Sequence, residues 1–529
     1  MKFGLLFLPF YFLFSAASVH AEAPDIRQAL GSSPAELVAL DLPADELNHL
    51  YFTRGYRPAW DFNSAGKSEA AEHFINSLVE FITYHGLRAK DYPLDTVRRL
   101  MTIAGDQERA KLDVLITAAL LRLAHDLHGD GRRLDDIYLG WNFNRDDVDI
   151  PALLEASIEH GEVNEFISGL VPKHAAYTRL ASTLRSYCDY QRKGGWKAID
   201  GGGALNPGDT GPRVKQLRAR LAAEDYLTTP DGDTSFDEEL ERAVTAYQLR
   251  NGLDADGHVG RRTLAALNVS LGTRLMQIRA NMERWRHMPD DFPASRSAII
   301  NIADATLVMS DNKKDLYRGP VVVGKPDRKT PFINSAVRSM IVNPFWHVPA
   351  KIARKDILPQ LKKDPHYLEK LGFVIKDHQG DPYGSDIDWG AIKEQDFDFK
   401  LRQAPSDQNS LGHLKFNFDS PFAVYMHGTP HQELFAKSQR DFSSGCVRLR
   451  DPNEIGEIFL DGTTGDWNVH KIQEQVDGGL THWVGIKNPI PLYILYWTVF
   501  PDEDGVIQFR KDVYGYDRLL GVGVVPPAH

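Results

Sequence analysis

A cysteine, a histidine and an arginine lie close together in one stretch of this chain. Tyr425–Arg450 reads YMHGTPHQELFAKSQRDFSSGCVRLR, with His-Gly-Thr at His427–Thr429, Ser-Ser-Gly-Cys at Ser443–Cys446 and Arg448 just beyond. A cysteine attacks as its thiolate, and a free one titrates near about 8.5, so it needs a base and a positive neighbourhood to act at neutral pH. His427 is suited to take the proton, and Arg448 to stabilise the thiolate. Gly445 permits a tight turn that would aim N–H groups next to Cys446 at a developing oxyanion. The competing reading is a buried structural cysteine beside a core histidine, because a free cysteine packs as a small hydrophobe. The glycine, serines and arginine crowded around Cys446 favour catalysis.

Strands are needed to hold such a pair. Phe422–Met426 is an apolar run that predicts a buried strand, with His427 at its end. Upstream, Ala298–Ile302, Thr306–Ser310 and Val321–Val323 are short apolar runs broken by Asp, Asn and Gly, and Lys314–Gly324 suits a hairpin return. Trp346–Phe416, rich in Asp, Lys and Pro and with a helical Pro349–Leu361, separates these strands from the motif. Leu492–Phe500 and Val506–Arg510, joined by Asp502–Gly505, predict a β-hairpin that completes the sheet.

The first half of the chain has a different texture. From about Ala35 to Asp200 the apolar spacing is helical, as at Leu78, Phe81 and Ile82 and again through Leu112–Leu127. Gly86 reads as a left-handed helix stop. Gly194–Gly203 is a glycine-rich linker, and Leu205–Val269 is a compact unit whose Pro212 fits the first turn of a helix. His125, His128 and His174 lack the regular spacing of a zinc site, so no metal is expected.

With 529 residues, 42% hydrophobic and 25% charged, the chain has room for two to four full cores. Its formal net charge of −11 argues against nucleic acid as a general partner, since phosphate binding needs a basic surface. The two cysteines, Cys188 and Cys446, read as free thiols, because a disulfide at Cys446 would remove the nucleophile. Met1–Ala21 has a lysine, an apolar run and Val19-His20-Ala21, the pattern of a cleavable signal peptide. An uncleaved membrane anchor there is the alternative, since the run approaches spanning length.

His-Gly-Thr, this spacer and Ser-Ser-Gly-Cys-Val-Arg together resemble the L,D-transpeptidase catalytic motif, in its large periplasmic branch. Val321–Pro331, Asn343–Pro349, Gly412–Phe418, Asp512–Asp517 and Tyr56–Trp60 fit the same branch, so the resemblance covers nearly the whole chain after the leader. Gly428 departs from it, since much of the branch has an acidic residue there. Leu205–Val269 is similar to the three-helix peptidoglycan-binding domain, with Tyr247-Gln248 where Phe-Gln is usual. A bundle that only spaces its neighbours is the plainer reading. The resemblance implies a multidomain α+β chain: signal peptide (1–21), helical scaffold domain (22–200), small three-helix bundle (204–270) and a mixed β-rich catalytic domain (285–525) with a capping insertion (346–416). It implies Cys446 as nucleophile, His427 as general base, Gly445 as oxyanion-hole backbone, Arg448 as electrostatic support and Ser444 as support of the site. Tyr425, Trp346 and Thr429 are expected to bind substrate, and Tyr367, Tyr383 and Trp389 are further aromatics of the insertion. No cofactor is implied. The expected partners are the stem peptides and glycan strands of peptidoglycan, the expected compartment is the periplasm, and carbapenems are expected to acylate Cys446.

Three functions compete. A transpeptidase would hold the acyl group as a thioester while the donor's leaving group departs and an acceptor enters. A hydrolase differs only in its acceptor; the order His before Cys argues against a papain-like version, whereas an L,D-carboxypeptidase or amino-acid exchange on the same fold stays open. A non-catalytic wall scaffold would leave the His/Cys/Arg set without a role.

Overall fold

The computed structural model describes residues 25–32, 37, 44–60, 68–103, 105–131, 134–228, 233–376 and 387–522. The leader expected over 1–21 and Tyr383 lie outside the described residues. The helix Asp106–His128 is apolar on nearly every side and so becomes the buried axis of the N-terminal helical unit. Its deep polar groups are satisfied by the Tyr56–Trp60 segment. Asp113 accepts the N–H groups of Ala59 and Trp60 at 3.0 Å each, and the Trp60 indole N–H donates to Thr117 at 3.0 Å. Gly86 takes φ +77° just past the helix Ser68–Tyr84, the left-handed stop its sequence predicts.

Pro212–Ala222, Glu238–Arg250 and Arg261–Leu267 form the three-helix bundle, closed on Leu217, Leu240, Val244 and Tyr247. The helix Leu271–Arg286 then leads into the strand-rich C-terminal domain, packed between the helices Ala175–Arg192 and Tyr516–Val522. Arg284 of this helix is fully buried, 2.7 Å from Asp517 and donating to the Tyr138 hydroxyl at 2.9 Å. One core runs unbroken from Leu134, Tyr138 and Tyr177 into the strands of that domain.

Those strands are β1 (Arg296–Asn301), β2 (Thr306–Asp311), β3 (Lys314–Gly324), β4 (Ile333–Val342), β5 (Trp346–His347), β6 (Phe373–Lys376), β7 (Lys400–Gln403), β8 (Leu414–Phe418), β9 (Met426–His427), β10 (Asp441–Ser443), β11 (Val447–Leu449), β12 (His482–Leu495), β13 (Val499–Pro501) and β14 (Ile507–Phe509). Nine of them form a mixed sheet in the order β10-β3-β11-β9-β8-β4-β12-β1-β2, and a further β2–β3 pairing closes it on itself. The early strands and the motif strands therefore share one sheet.

Three segments differ from the sequence reading. The run Phe422–Met426 is mostly loop: Ala423 sits at φ +53°, and only Met426–His427 pairs as β9. The C-terminal hairpin forms, but as a separate two-stranded ribbon of β13 and β14. The sheet is completed instead by the long β12, which contains Leu492–Leu495. The inserted segment closes before Leu414, because β8 already pairs with β4 in the central sheet. The insertion has its own three-stranded sheet, β5-β7-β6, and its own core around Ile357, Leu361, Trp389 and Phe397. Trp389 is buried in that core and Tyr367 packs against it. Among the described residues no helix is long and apolar enough to cross a membrane.

Candidate active site

Strand register assembles the site. Across β8, β9 and β11, Lys415 stands opposite His427, and His427 opposite Arg448. Residues in register share a face, and neighbours along each strand point the other way. Phe416, Met426 and Val447 form the next row and are fully buried in the core. Tyr425 and Cys446 each lie two residues before His427 and Arg448, and so return to the Lys415 side.

Tyr425 lies beside the Cys446 thiol, and its backbone and hydroxyl, with the Lys415 and Arg448 charges, pull the thiol down against burial. Trp346, the first residue of the insertion, lies near enough to the Tyr425 hydroxyl to act on it, lowering its pKa against burial. Lys415 Nζ lies 3.9 Å from the centre of the Tyr425 ring. Two of the residues expected to bind substrate, Tyr425 and Trp346, thus lie in line between the insertion and Cys446. Thr429 does not join them. It is buried, its hydroxyl accepts the His431 N–H at 3.2 Å, and it serves as a turn brace.

His427 is buried, and its Nδ1 lies 2.6 Å from the Gly428 carbonyl. A carbonyl can only accept, so Nδ1 carries the proton and Nε2 is the basic nitrogen. Burial, reinforced by the Arg448 and Lys415 charges, pushes the imidazole down to about 3. Burial also raises the Cys446 thiol, against the pull of Tyr425, Lys415 and Arg448. Both groups are therefore neutral near pH 7.

The turn before the nucleophile is tightly committed. Gly445 sits at φ +115°, a conformation that favours glycine. Its N–H donates to Ser443 Oγ at 3.1 Å, and Ser443 Oγ donates to the Cys446 carbonyl at 2.5 Å. The Gly445 N–H, expected to build the oxyanion hole, already has Ser443 Oγ as a partner. The neighbouring N–H of Cys446 itself has none among the described residues. Ser444 faces outward and accepts from Arg328 Nη1 at 2.9 Å. Arg328 also grips both carboxylate oxygens of Asp356 in the cap, one of them at 2.8 Å.

Behind this turn lies a support that the sequence reading did not assign. Thr330 Oγ1 donates to the Gly445 carbonyl at 2.9 Å and accepts the Gly324 N–H at 2.8 Å. Tyr514 donates to the Gly324 carbonyl at 2.5 Å and accepts the Thr330 N–H at 3.1 Å. The Val321–Pro331 and Asp512–Asp517 stretches thus act together as a brace for the nucleophile. Lys415 and Arg328 were also missed. The visible signal for Lys415 is a cation on the polar phase of the alternating strand LKFNF. Nothing local marks Arg328.

Comparison with known proteins gives three matched segments. Residues 295–469 match the family described as "L,D-transpeptidase catalytic domain", residues 210–267 "Putative peptidoglycan binding domain", and residues 45–184 "Scaffold domain". A Haemophilus influenzae protein named "Putative L,D-transpeptidase" is 28% identical over 302 residues, 54% of this chain and 60% of the relative. The match thus spans about three fifths of that curated relative. Among solved structures, an L,D-transpeptidase from Mycobacterium smegmatis is 14% identical with a TM-score of 0.17, covering 37% of this chain and 58% of that one. One from Xylanimonas cellulosilytica is 15% identical with a TM-score of 0.17, covering 56% and 98%.

Proposed function

We propose that this chain, which carries an L,D-transpeptidase catalytic domain beside a scaffold domain and a peptidoglycan-binding domain, cross-links peptidoglycan through a Cys446 thioester. The observation that carries the reading is the single face on which Lys415, His427, Arg448, Tyr425 and Cys446 converge beneath Trp346 of the cap. Cys446 attacks the carbonyl of the diamino-acid residue at position three of a tetrapeptide stem. Its proton passes to Nε2 of His427 as the S–C bond forms, and Lys415 and Arg448 offset the charge on sulfur. The carbonyl oxygen becomes an oxyanion near the unpartnered Cys446 N–H. Collapse breaks the C–N bond, and His427 returns the proton to the departing D-alanine amine.

In the second half the side-chain amine of another stem attacks the thioester. His427 removes the amine proton and returns it to the leaving sulfur, giving a diaminopimelate-to-diaminopimelate bond and the resting thiol. A cap over the thioester favours this amine over water by limiting access. Such an enzyme works at the cell wall, in the periplasm after export on the 1–21 leader. Purified chain incubated with disaccharide-tetrapeptide should yield cross-linked dimers plus D-alanine, and Cys446→Ala should yield neither. Tripeptide without dimer would instead identify an L,D-carboxypeptidase. The same chain should gain the mass of one carbapenem, and Cys446→Ala should gain none.

A further inference from the structure

A cavity of about 780 Å³ opens where the three-helix bundle meets the catalytic domain, a volume within the range of ligand sites and at a junction where such sites concentrate. One wall is the segment Phe435–Asp441, which belongs to the loop between His427 and Cys446. Arg262 of the bundle donates to Ser438 Oγ at 3.0 Å, joining the bundle to this loop at the cavity's edge.

The charges of the lining do not balance. Asp304 is paired with Arg510, and Asp512 turns away to accept the Tyr496 hydroxyl and the N–H groups of Tyr516 and Asp517. Arg274 is 4% exposed, yet its bonds go to the neutral side chains of Gln277, Tyr247 and Asn251, and its Nε has no partner. Arg440 donates to the backbone carbonyls of Lys437, Asp304 and Ala305. Among the described residues neither guanidinium has a carboxylate within ion-pair distance. Lys437 and Lys511 add two exposed ammonium groups to the same lining. Asp441 stands against them, one of its carboxylate oxygens buried without a partner. Glu224 acts on Arg274, and Asp304 on Arg440, only from beyond that distance, and a buried cation whose bonds all go to neutral acceptors gains from an added anion.

We propose that this groove is a second, non-reacting site for a stem peptide of the wall, its carboxylates on Arg274, Arg440, Lys437 and Lys511 and its free amine on Asp441. The proposal rests on the reading of peptidoglycan as substrate. A tetrapeptide stem supplies both kinds of group, since its γ-linked glutamate, diamino acid and terminal alanine each leave a carboxylate and the diamino acid leaves an amine. A stem seated here lies against the loop that joins base to nucleophile, so the bundle and the catalytic domain hold wall together.

The test uses full-length chain whose Cys446 has been acylated by a carbapenem, which fills the catalytic cleft. Calorimetric titration with soluble disaccharide-tetrapeptide should show binding that weakens with added salt and that depends on the groove cations. Lys437→Glu with Lys511→Glu should lower that affinity at least about tenfold, while the carbapenem still acylates the variant at the wild-type rate. A peptide with amidated carboxylates should not bind. No binding to the acylated chain, binding indifferent to the two reversals, or equal binding of the amidated peptide would each overturn the proposal. If the carbapenem fails to acylate the wild type, the catalytic reading falls instead, and the same titration on Cys446→Ala still decides the groove.

Discussion

Cys446 and His427 rest as a neutral pair, because burial penalises the charged form of each. In the proposed reaction the thiolate forms only as the substrate is attacked, and the Lys415 and Arg448 charges favour it. Lys415→Met keeps an apolar stem of similar length over the Tyr425 ring and removes the charge. Its loss should raise the thiol further and slow carbapenem acylation at pH 7 about tenfold, one pKa unit of lost stabilisation. Raising the pH should recover much of that rate, and stopped-flow acylation across pH 6 to 10 reads it directly. An unchanged profile would make Lys415 a packing residue for Tyr425. His427→Ala should cost about 10²–10⁴-fold at neutral pH, the usual span for a lost general base. In the wild type no step in rate should appear near pH 6.5, since His427 is already neutral there; such a step would mean the imidazole is more solvated than its burial implies.

At the scale of elements, the nucleophile turn is held from behind by the β3–β4 connection and from above by the cap. Arg328 reaches both, bonding Ser444 in the turn and Asp356 in the cap. Asp356 is 38% exposed, so solvent screens the pair and its worth to stability is about 1 kcal/mol or less. Its effect should fall on the cap. Asp356→Ala should leave thermal stability nearly unchanged while raising the ratio of hydrolysed to cross-linked product several-fold, as water gains access to the thioester. Chromatography of the muropeptide products measures the ratio. A lowered melting temperature with an unchanged ratio would reduce Asp356 to a structural tie.

Across the whole molecule, the helix Leu271–Arg286 is the seam between the N-terminal helices and the catalytic sheet. Arg284 lies at its centre, fully buried between Asp517, Tyr138 and Asn281. Arg284→Met would strand the Asp517 carboxylate in the core, a change that typically costs about 3–5 kcal/mol. Denaturant unfolding should show that loss, and Arg284→Met with Asp517→Leu should recover part of it because no charge is then left unpaired. A single variant as stable as wild type would mean that Asp517 is carried protonated.

The sequence alone determined what is written locally. His-Gly-Thr and Ser-Ser-Gly-Cys carry their chemistry in residue type, helical spacing marked the buried axis around Leu112–Leu127, and Gly445 announced a turn that favours glycine. It also suggested the order of the parts, because alternation and helical period are properties of short windows. The tertiary structure decided what depends on partners far along the chain. Register between β8, β9 and β11 brought Lys415 into the row, and docking of the insertion set Trp346 on Tyr425. Side-chain hydrogen bonding gave the Gly445 N–H a partner in Ser443. Burial fixed the charge of His427, which no neighbouring residue type reveals. Phe422–Met426 reads as a strand and folds as a loop for the same reason: a short apolar run states that it will be buried, and only its partners state in what conformation.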